Sequence, residues 1–106
     1  MSSTKQAISP AQSAVIKAYQ DKISAKVQEA KAKLELVEAT ARQKKASSEL
    51  AAINGLMAGW QGIETRIKDL KTTHESNVSR AKAEIDADVT KFKASIEEIA
   101  AKLKVR

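Results

Sequence analysis

Apolar side chains recur every three or four residues along most of this 106-residue chain. That spacing places them on one side of an α-helix, in a stripe as narrow as that of a coiled coil. The pattern predicts a seam between long helices. The predicted seam residues are Ile16, Tyr19, Ile23, Val27, Leu34, Val37, Ile67, Leu70, Val78, Ile85, Val89, Phe92, Ile96, Ile99 and Leu103.

The composition also favours long, exposed helices. Charged residues make up 30% of the chain and aromatic residues only 3%, and alanine supplies much of the 42% hydrophobic content. Alanine, lysine, glutamate and glutamine are good helix formers because they lose little side-chain freedom in a helix. Since little apolar bulk remains for a thick core, we expect an all-α protein with a thin one.

All three glycines and the only tryptophan lie within residues 54–62, "NGLMAGWQG". Glycine ends helices because it enters the left-handed conformation without a steric penalty. The stretch therefore predicts the turn of an antiparallel helical hairpin, with Trp60 as a hydrophobic plug that closes its tip. The predicted turn and tip residues are Asn54, Gly55, Gly59, Trp60 and Gly62.

The start of the first helix is marked by Ser9 and Pro10, a hydroxyl at the N-cap followed by proline at the first helical position. We therefore predict a disordered arm at residues 1–8 and a single domain over 9–104. Within that domain we predict helix 1 at 9–53, the turn at 54–62 and helix 2 at 63–104. Two hairpins would pair into a four-helix bundle. The runner-up is a three-helix arrangement with a further break near residues 42–49.

The apolar stripe lapses twice, over residues 42–49 and over 72–77. In a hairpin these two segments would face each other, and polar side chains in such a seam fix its register. We predict a polar layer there, and a looser, hydrated section is the alternative. The residues of the predicted layer are Lys44, Ser48, His74 and Asn77.

No constellation of residues in the sequence indicates catalysis. Cysteine is absent and His74 is the only histidine, so the zinc motifs built from these residues cannot be completed. Carboxylates such as Asp86 and Asp88 belong to alternating charged faces and point in different directions from one helix. We expect no enzyme activity, cofactor, metal site or small-molecule substrate.

The net charge of +6 raises nucleic acid or an anionic membrane as a partner. Basic and acidic residues are interleaved, however, and the three aromatic residues are too scattered to stack on bases. The narrow apolar stripe suits a partner helix better than lipid. We therefore predict protein–protein interaction, with a homodimer or a helical heteropartner. The alternative is a basic helical protein that coats a polyanion, either nucleic acid or an anionic lipid surface.

The chain begins without an apolar run resembling a signal peptide, and eighteen apolar residues never occur in succession. We therefore expect a protein made in soluble form. It would stay in the cytoplasm or leave by a route that needs no signal peptide.

Trp60-Gln61-Gly62 lies near the centre of the chain, between two predicted amphipathic helices. In this combination the chain resembles the WXG family, the early-secreted-antigen-like hairpins of type VII secretion, in which Trp-x-Gly marks the turn. The resemblance implies a four-helix bundle of two hairpins, homodimeric or heterodimeric, that is exported without a signal peptide. It also implies a role as a secreted effector, as the partner of a larger substrate, or in the secretion apparatus. The family's C-terminal signal, an aromatic residue followed four positions later by an acidic one, is not matched by Phe92 and Ile96.

Overall fold

The computed structural model describes residues 10–73 and 75–105, which form three α-helices and no strand. This confirms the predicted all-α class, and the three-helix arrangement is the alternative that fits. Two short 3-10 segments connect the second helix to the third. The elements are α1 (Pro10–Gln43), α2 (Ser47–Asp69), the 3-10 segments Leu70–Thr72 and Glu75–Asn77, and α3 (Val78–Lys104).

The helices pack side by side into an elongated bundle of 63 × 18 × 16 Å. Gln20, early in α1, reaches the carbonyl of Ile67 near the end of α2, whereas Lys31 lies over the ring of Trp60, nearer the middle of α2. These two contacts show that α2 runs antiparallel to α1. The connection from α1 to α2 and the connection from α2 to α3 therefore lie at opposite ends of the bundle.

The core is one long strip of aliphatic side chains from all three helices. All the predicted seam residues are buried except Tyr19, which is half-buried. Their spacing thus places them where the helices meet, and each buried large aliphatic side chain stabilises the fold by about 1.5–3 kcal/mol. Residues of the core outside the predicted seam are Ala30, Ala41, Ala46, Ile53 and Ile63.

The glycine-rich stretch is not a turn. Residues 54–62 lie inside α2, and no glycine has a positive φ. The predicted helix boundaries at 53 and 63 are therefore wrong. So is the predicted turn at Asn54, Gly55, Gly59, Trp60 and Gly62.

The physical reason is that the apolar stripe continues through this stretch without interruption. Ile53, Met57, Trp60, Ile63 and Ile67 follow at steps of three or four, and all five pack in or against the core. Their burial outweighs the helix penalty of about 1 kcal/mol that each glycine carries relative to alanine.

The chain reverses instead at residues 44–46, directly after α1. Lys45 occupies the left-handed conformation with a φ of 53°. The amide of Ala46 donates to the carbonyl of Ala41 at 2.9 Å, and the amide of Lys45 donates to the carbonyl of Arg42 at 3.1 Å. These are the two hydrogen bonds of a Schellman motif, and the fully buried Ala41 and Ala46 supply its usual apolar pair.

The predicted polar layer is also not formed. Lys44 and Ser48 are exposed at the α1–α2 connection, whereas Asn77 is exposed at the opposite end of the bundle. The stripe lapses at these places because they are the two connections between helices and not facing segments of a seam. His74 and the predicted arm at residues 1–8 lie outside the described residues.

Candidate interaction surface

The outward side of α2 carries no charge along most of its length. No lysine, arginine, aspartate or glutamate occurs from residue 50 to residue 63, although such residues make up 30% of the chain. The exposed positions of α1 and α3, in contrast, are rich in lysine and glutamate. The exposed residues of this uncharged side are Ala51, Ala52, Asn54, Gly55, Ala58, Gly59, Gln61 and Gly62.

The three glycines share one side of α2, because Gly59 follows Gly55 by four residues and Gly62 follows Gly59 by three. A Cβ atom added at any of them would meet no other atom within 4 Å. Packing within the described part of the chain therefore gives no reason for glycine over alanine. Alanine would favour the helix by about 1 kcal/mol at each exposed position.

Beside the glycines, a groove of about 320 Å³ opens between α2 and α3. Gly59 and Gly62 line it without side chains, and two other residues of its lining, Ile63 and Phe92, are almost fully buried. We call the uncharged side of α2 together with this groove the glycine face. The residues that line the groove are Leu56, Gly59, Gly62, Ile63, Arg66, Asp88, Lys91, Phe92 and Ser95.

Three charged residues line the groove, Arg66 from α2 and Asp88 and Lys91 from α3. Nη1 of Arg66 is 2.5 Å from Oδ2 of Asp88, and this ion pair links α2 to α3. Both side chains are at least a third exposed, so solvent screening limits the contribution of the pair to stability. The α2 residues that line the groove, apart from Arg66, are uncharged.

Trp60 lies in the middle of the bundle rather than at a tip. Its half-buried ring packs against the core, and the ammonium group of Lys31 in α1 lies 4.2 Å from the ring centroid. The indole nitrogen is buried and has no hydrogen-bond partner among the described residues. Trp60 thus covers the contact between α1 and α2, on a different side of α2 from the glycines.

Several polar contacts between helices were not predicted from the sequence. The buried Gln20 donates from Nε2 to the carbonyl of Ile67 at 2.7 Å, near the end of α2. Gln20 lies four residues after Ile16 and three before Ile23, which puts it on the apolar stripe. Its burial could therefore have been predicted from this spacing. The contacts of Arg66 with Asp88, and of Lys31 with Trp60, depend on the three-helix arrangement and could not be predicted from a hairpin.

Comparisons with protein-family models, with curated proteins and with solved structures find no match to this chain. Among the described residues, no three histidine, aspartate or glutamate side chains lie close enough together to hold a metal ion. No described helix is both long and apolar enough to cross a membrane. The structure defines an all-α three-helix bundle, and its exposed surfaces are the candidate sites of function.

Proposed function

We propose that this chain is a non-enzymatic helical interaction module that self-associates through its glycine face. The observation that carries the proposal is the neutral, glycine-containing side of α2 in a chain that is otherwise densely charged. Small residues allow the backbones of two helices to approach more closely than the usual 8–10 Å between axes. A second helix on this face would give the glycines a role that the fold of the single chain lacks.

A second copy of the chain is the partner that this face favours. A partner helix with a charged side would lose hydration against residues 50–63, which offer it no counter-charge. The α2 helix of a second copy presents a neutral side of the same kind. In an antiparallel pair about a twofold axis at Ala58, residue 66 of one copy lies beside residue 50 of the other, so Arg66 faces no like charge from the other α2.

The proposed contact is small. Residues 50–63 span about 21 Å of helix, so the pair falls in the class of weak interfaces that bury less than ~1,200 Å² in total. We therefore expect a reversible monomer–dimer equilibrium, visible over a range of protein concentration. A net charge of +6 on each copy makes the dimer tighter at moderate salt than at low salt.

Sedimentation equilibrium from micromolar to near-millimolar concentration tests the proposal. The variant with Gly55→Ala, Gly59→Ala and Gly62→Ala should unfold at a higher temperature as a monomer, because alanine favours the helix. The same variant should dimerise more weakly, because each added methyl group holds the second helix away. A more stable variant that dimerises as well as the original chain, or an original chain that is monomeric throughout, would contradict the proposal.

A charge placed on the glycine face gives a second, independent test. Ala58→Arg would bring two arginines together at the proposed axis and should abolish the dimer. Ala101→Arg makes the same change at an exposed position of α3 and serves as the matched control. Equal weakening by both variants would indicate a general effect of charge rather than a specific interface.

Membership of the WXG family, with a role as a type VII secretion substrate or partner, stays a prediction. Its turn at Trp-x-Gly is not available here, because residues 60–62 lie within α2. An export assay in cells that carry a type VII system would test it directly.

A further inference from the structure

A second surface, distinct from the glycine face, follows the junction of α1 and α3. Its charged residues from 22 to 33 in α1 are spaced by three or four positions, which places them on one side of the helix. Lys44, just after α1, lies beside the end of α3. The hydroxyl of Tyr19 donates to Asp86 at 2.6 Å, and the ammonium of Lys33 lies 3.4 Å from Glu97, so the two helices meet along this row. We call it the lysine face. Its charged members are Lys22, Lys26, Glu29, Lys33, Lys44, Lys82, Asp86, Lys93, Glu97 and Lys104.

The lysine face holds the whole net charge of the described chain. It has seven lysines and three carboxylates, a net charge of +4. The rest of residues 10–73 and 75–105 contain ten basic and ten acidic residues, which cancel. The interleaving of charges seen in the sequence therefore conceals an uneven distribution in space.

Two of the three carboxylates on this face already have partners. Asp86 accepts the hydroxyl of Tyr19, and Glu97 pairs with Lys33. Burial and the hydrogen bond to Asp86 hold the pKa of Tyr19 above its ordinary value, so the tyrosine remains a neutral donor. Lys44 donates to the carbonyl of Leu103, and Lys82 lies over the ring of Tyr19. Four other lysines of the face have no such contact among the described residues and can interact with an external anion. They are Lys22, Lys26, Lys93 and Lys104.

Exposed aliphatic side chains accompany these lysines. Leu36 is 71% exposed and lies three residues after Lys33 on the same side of α1. Val15 is 57% exposed and lies four residues before Tyr19 in the same row, about 31 Å from Leu36 along the helix. Val105, which is 85% exposed, directly follows Lys104. These three are the exposed large hydrophobic residues of the described chain.

We infer that the lysine face binds an anionic lipid bilayer. Lysines next to exposed aliphatic side chains are the combination with which helices bind in the plane of a membrane surface, since the ammonium groups reach headgroups and the aliphatic groups enter the acyl boundary. The parallel helices α1 and α3 present the lysine face along one side of an elongated bundle. A surface of this shape can contact a planar membrane along its whole length. This inference does not depend on the proposed self-association.

Lipid fits the face better than nucleic acid does. All seven cationic residues of the face are lysines, and the described arginines lie elsewhere. Arginine is the residue whose planar guanidinium group forms bidentate hydrogen bonds with phosphates. Leu36 and Val15 would also gain no apolar contact with a nucleic acid, because its backbone presents charged phosphates.

Co-sedimentation of the full chain with lipid vesicles tests the inference. We expect binding to mixed phosphatidylcholine and phosphatidylserine vesicles, weaker binding with added salt, and none to phosphatidylcholine alone. Changing Lys22, Lys26 and Lys93 to Glu should weaken binding by at least about tenfold. The matched control changes Lys68, Lys71 and Lys102 to Glu, which alters the net charge equally but lies off the lysine face. Equal losses in the two variants would overturn the assignment to this face.

Leu36→Ser separates a lipid surface from other polyanions. The substitution should weaken vesicle binding while the circular dichroism spectrum stays the same and thermal unfolding shifts only slightly, because Leu36 is exposed and serine is only a somewhat weaker helix former than leucine. Unchanged vesicle binding in this variant would overturn the inference. So would binding of the original chain to duplex DNA but not to the anionic vesicles.

Discussion

The centre of α2 and the connection between α1 and α2 each have a backbone conformation opposite to the one that their residue types favour. Residues 54–62 contain every glycine of the chain and remain helical, whereas residues 44–46 contain none and form the turn. In the turn, Lys45 takes the left-handed conformation that glycine adopts most easily. The difference shows that the continuity of the buried stripe, and not the local helix propensity, decides where this chain turns.

Each region has its own source of stability. In the centre of α2, Ile53 and Ile63 are buried, and the ring of Trp60 packs against the core. At the turn, two backbone hydrogen bonds and the burial of Ala41 and Ala46 compensate for the left-handed Lys45. Substitutions that act differently in the two regions therefore test this comparison.

The largest effect is expected for Gly59→Pro. Proline in the interior of a helix removes a hydrogen bond and clashes with the preceding turn, so we expect a loss of about 3 kcal/mol or more in the free energy of unfolding. Urea denaturation followed by circular dichroism measures it. The control is Ser47→Pro at the first residue of α2, where proline is tolerated and only the turn contact of the Ser47 amide with the Lys45 carbonyl is lost. A tolerated Gly59→Pro would mean that residues 54–62 form a turn after all.

Trp60→Ala should be the next most damaging change. Removing a large aromatic side chain from a packed site costs about 3–5 kcal/mol when it is fully buried, and we expect the lower end because Trp60 is half-buried. Trp60→Phe keeps most of the packing and removes the buried indole N–H that has no partner among the described residues. It should therefore cost far less. Equal losses for the two variants in thermal unfolding would contradict the placement of the ring against the core.

Lys45→Gly is expected to stabilise the protein by about 1 kcal/mol, because glycine adopts the left-handed conformation without a Cβ penalty. Lys45→Ala keeps the Cβ and removes the same charge, so it serves as the control and should give no comparable gain. Differential scanning calorimetry of both variants at one pH measures the difference. A gain of the same size from alanine would assign the effect to charge rather than to backbone conformation.

The sequence predicted the parts of the fold that depend on apolar spacing. The predicted seam residues lie in or against the core. They could be predicted because a period of 3.6 residues can be recognised in a sequence without knowledge of the topology. The same apolar period at Ile53, Met57 and Trp60 predicts a helix that continues across the glycine-rich stretch. The predicted turn is wrong because the burial of this stripe outweighs the low helix propensity of glycine.

Other features depend on three-dimensional arrangement and could not be predicted. The left-handed Lys45 has no sequence signal, since lysine is not a usual residue for that conformation. The ion pair of Arg66 with Asp88 and the clustering of lysines between α1 and α3 follow only from the presence of a third helix. The clustering of the glycines is visible in the sequence, but that they form an exposed row on α2 follows only from the structure.

Disulfide cross-linking at Ala58 tests most directly whether the glycine face joins two copies of the chain. The chain has no cysteine, so Ala58→Cys introduces a single thiol at the proposed twofold axis. Two such thiols can form a disulfide only if their Cα atoms come within about 7 Å. Under mild oxidation we predict that Ala58→Cys forms a covalent dimer much faster than Ala101→Cys, which places a thiol on the exposed side of α3. Equal rates for the two variants would contradict the assignment of this face to self-association.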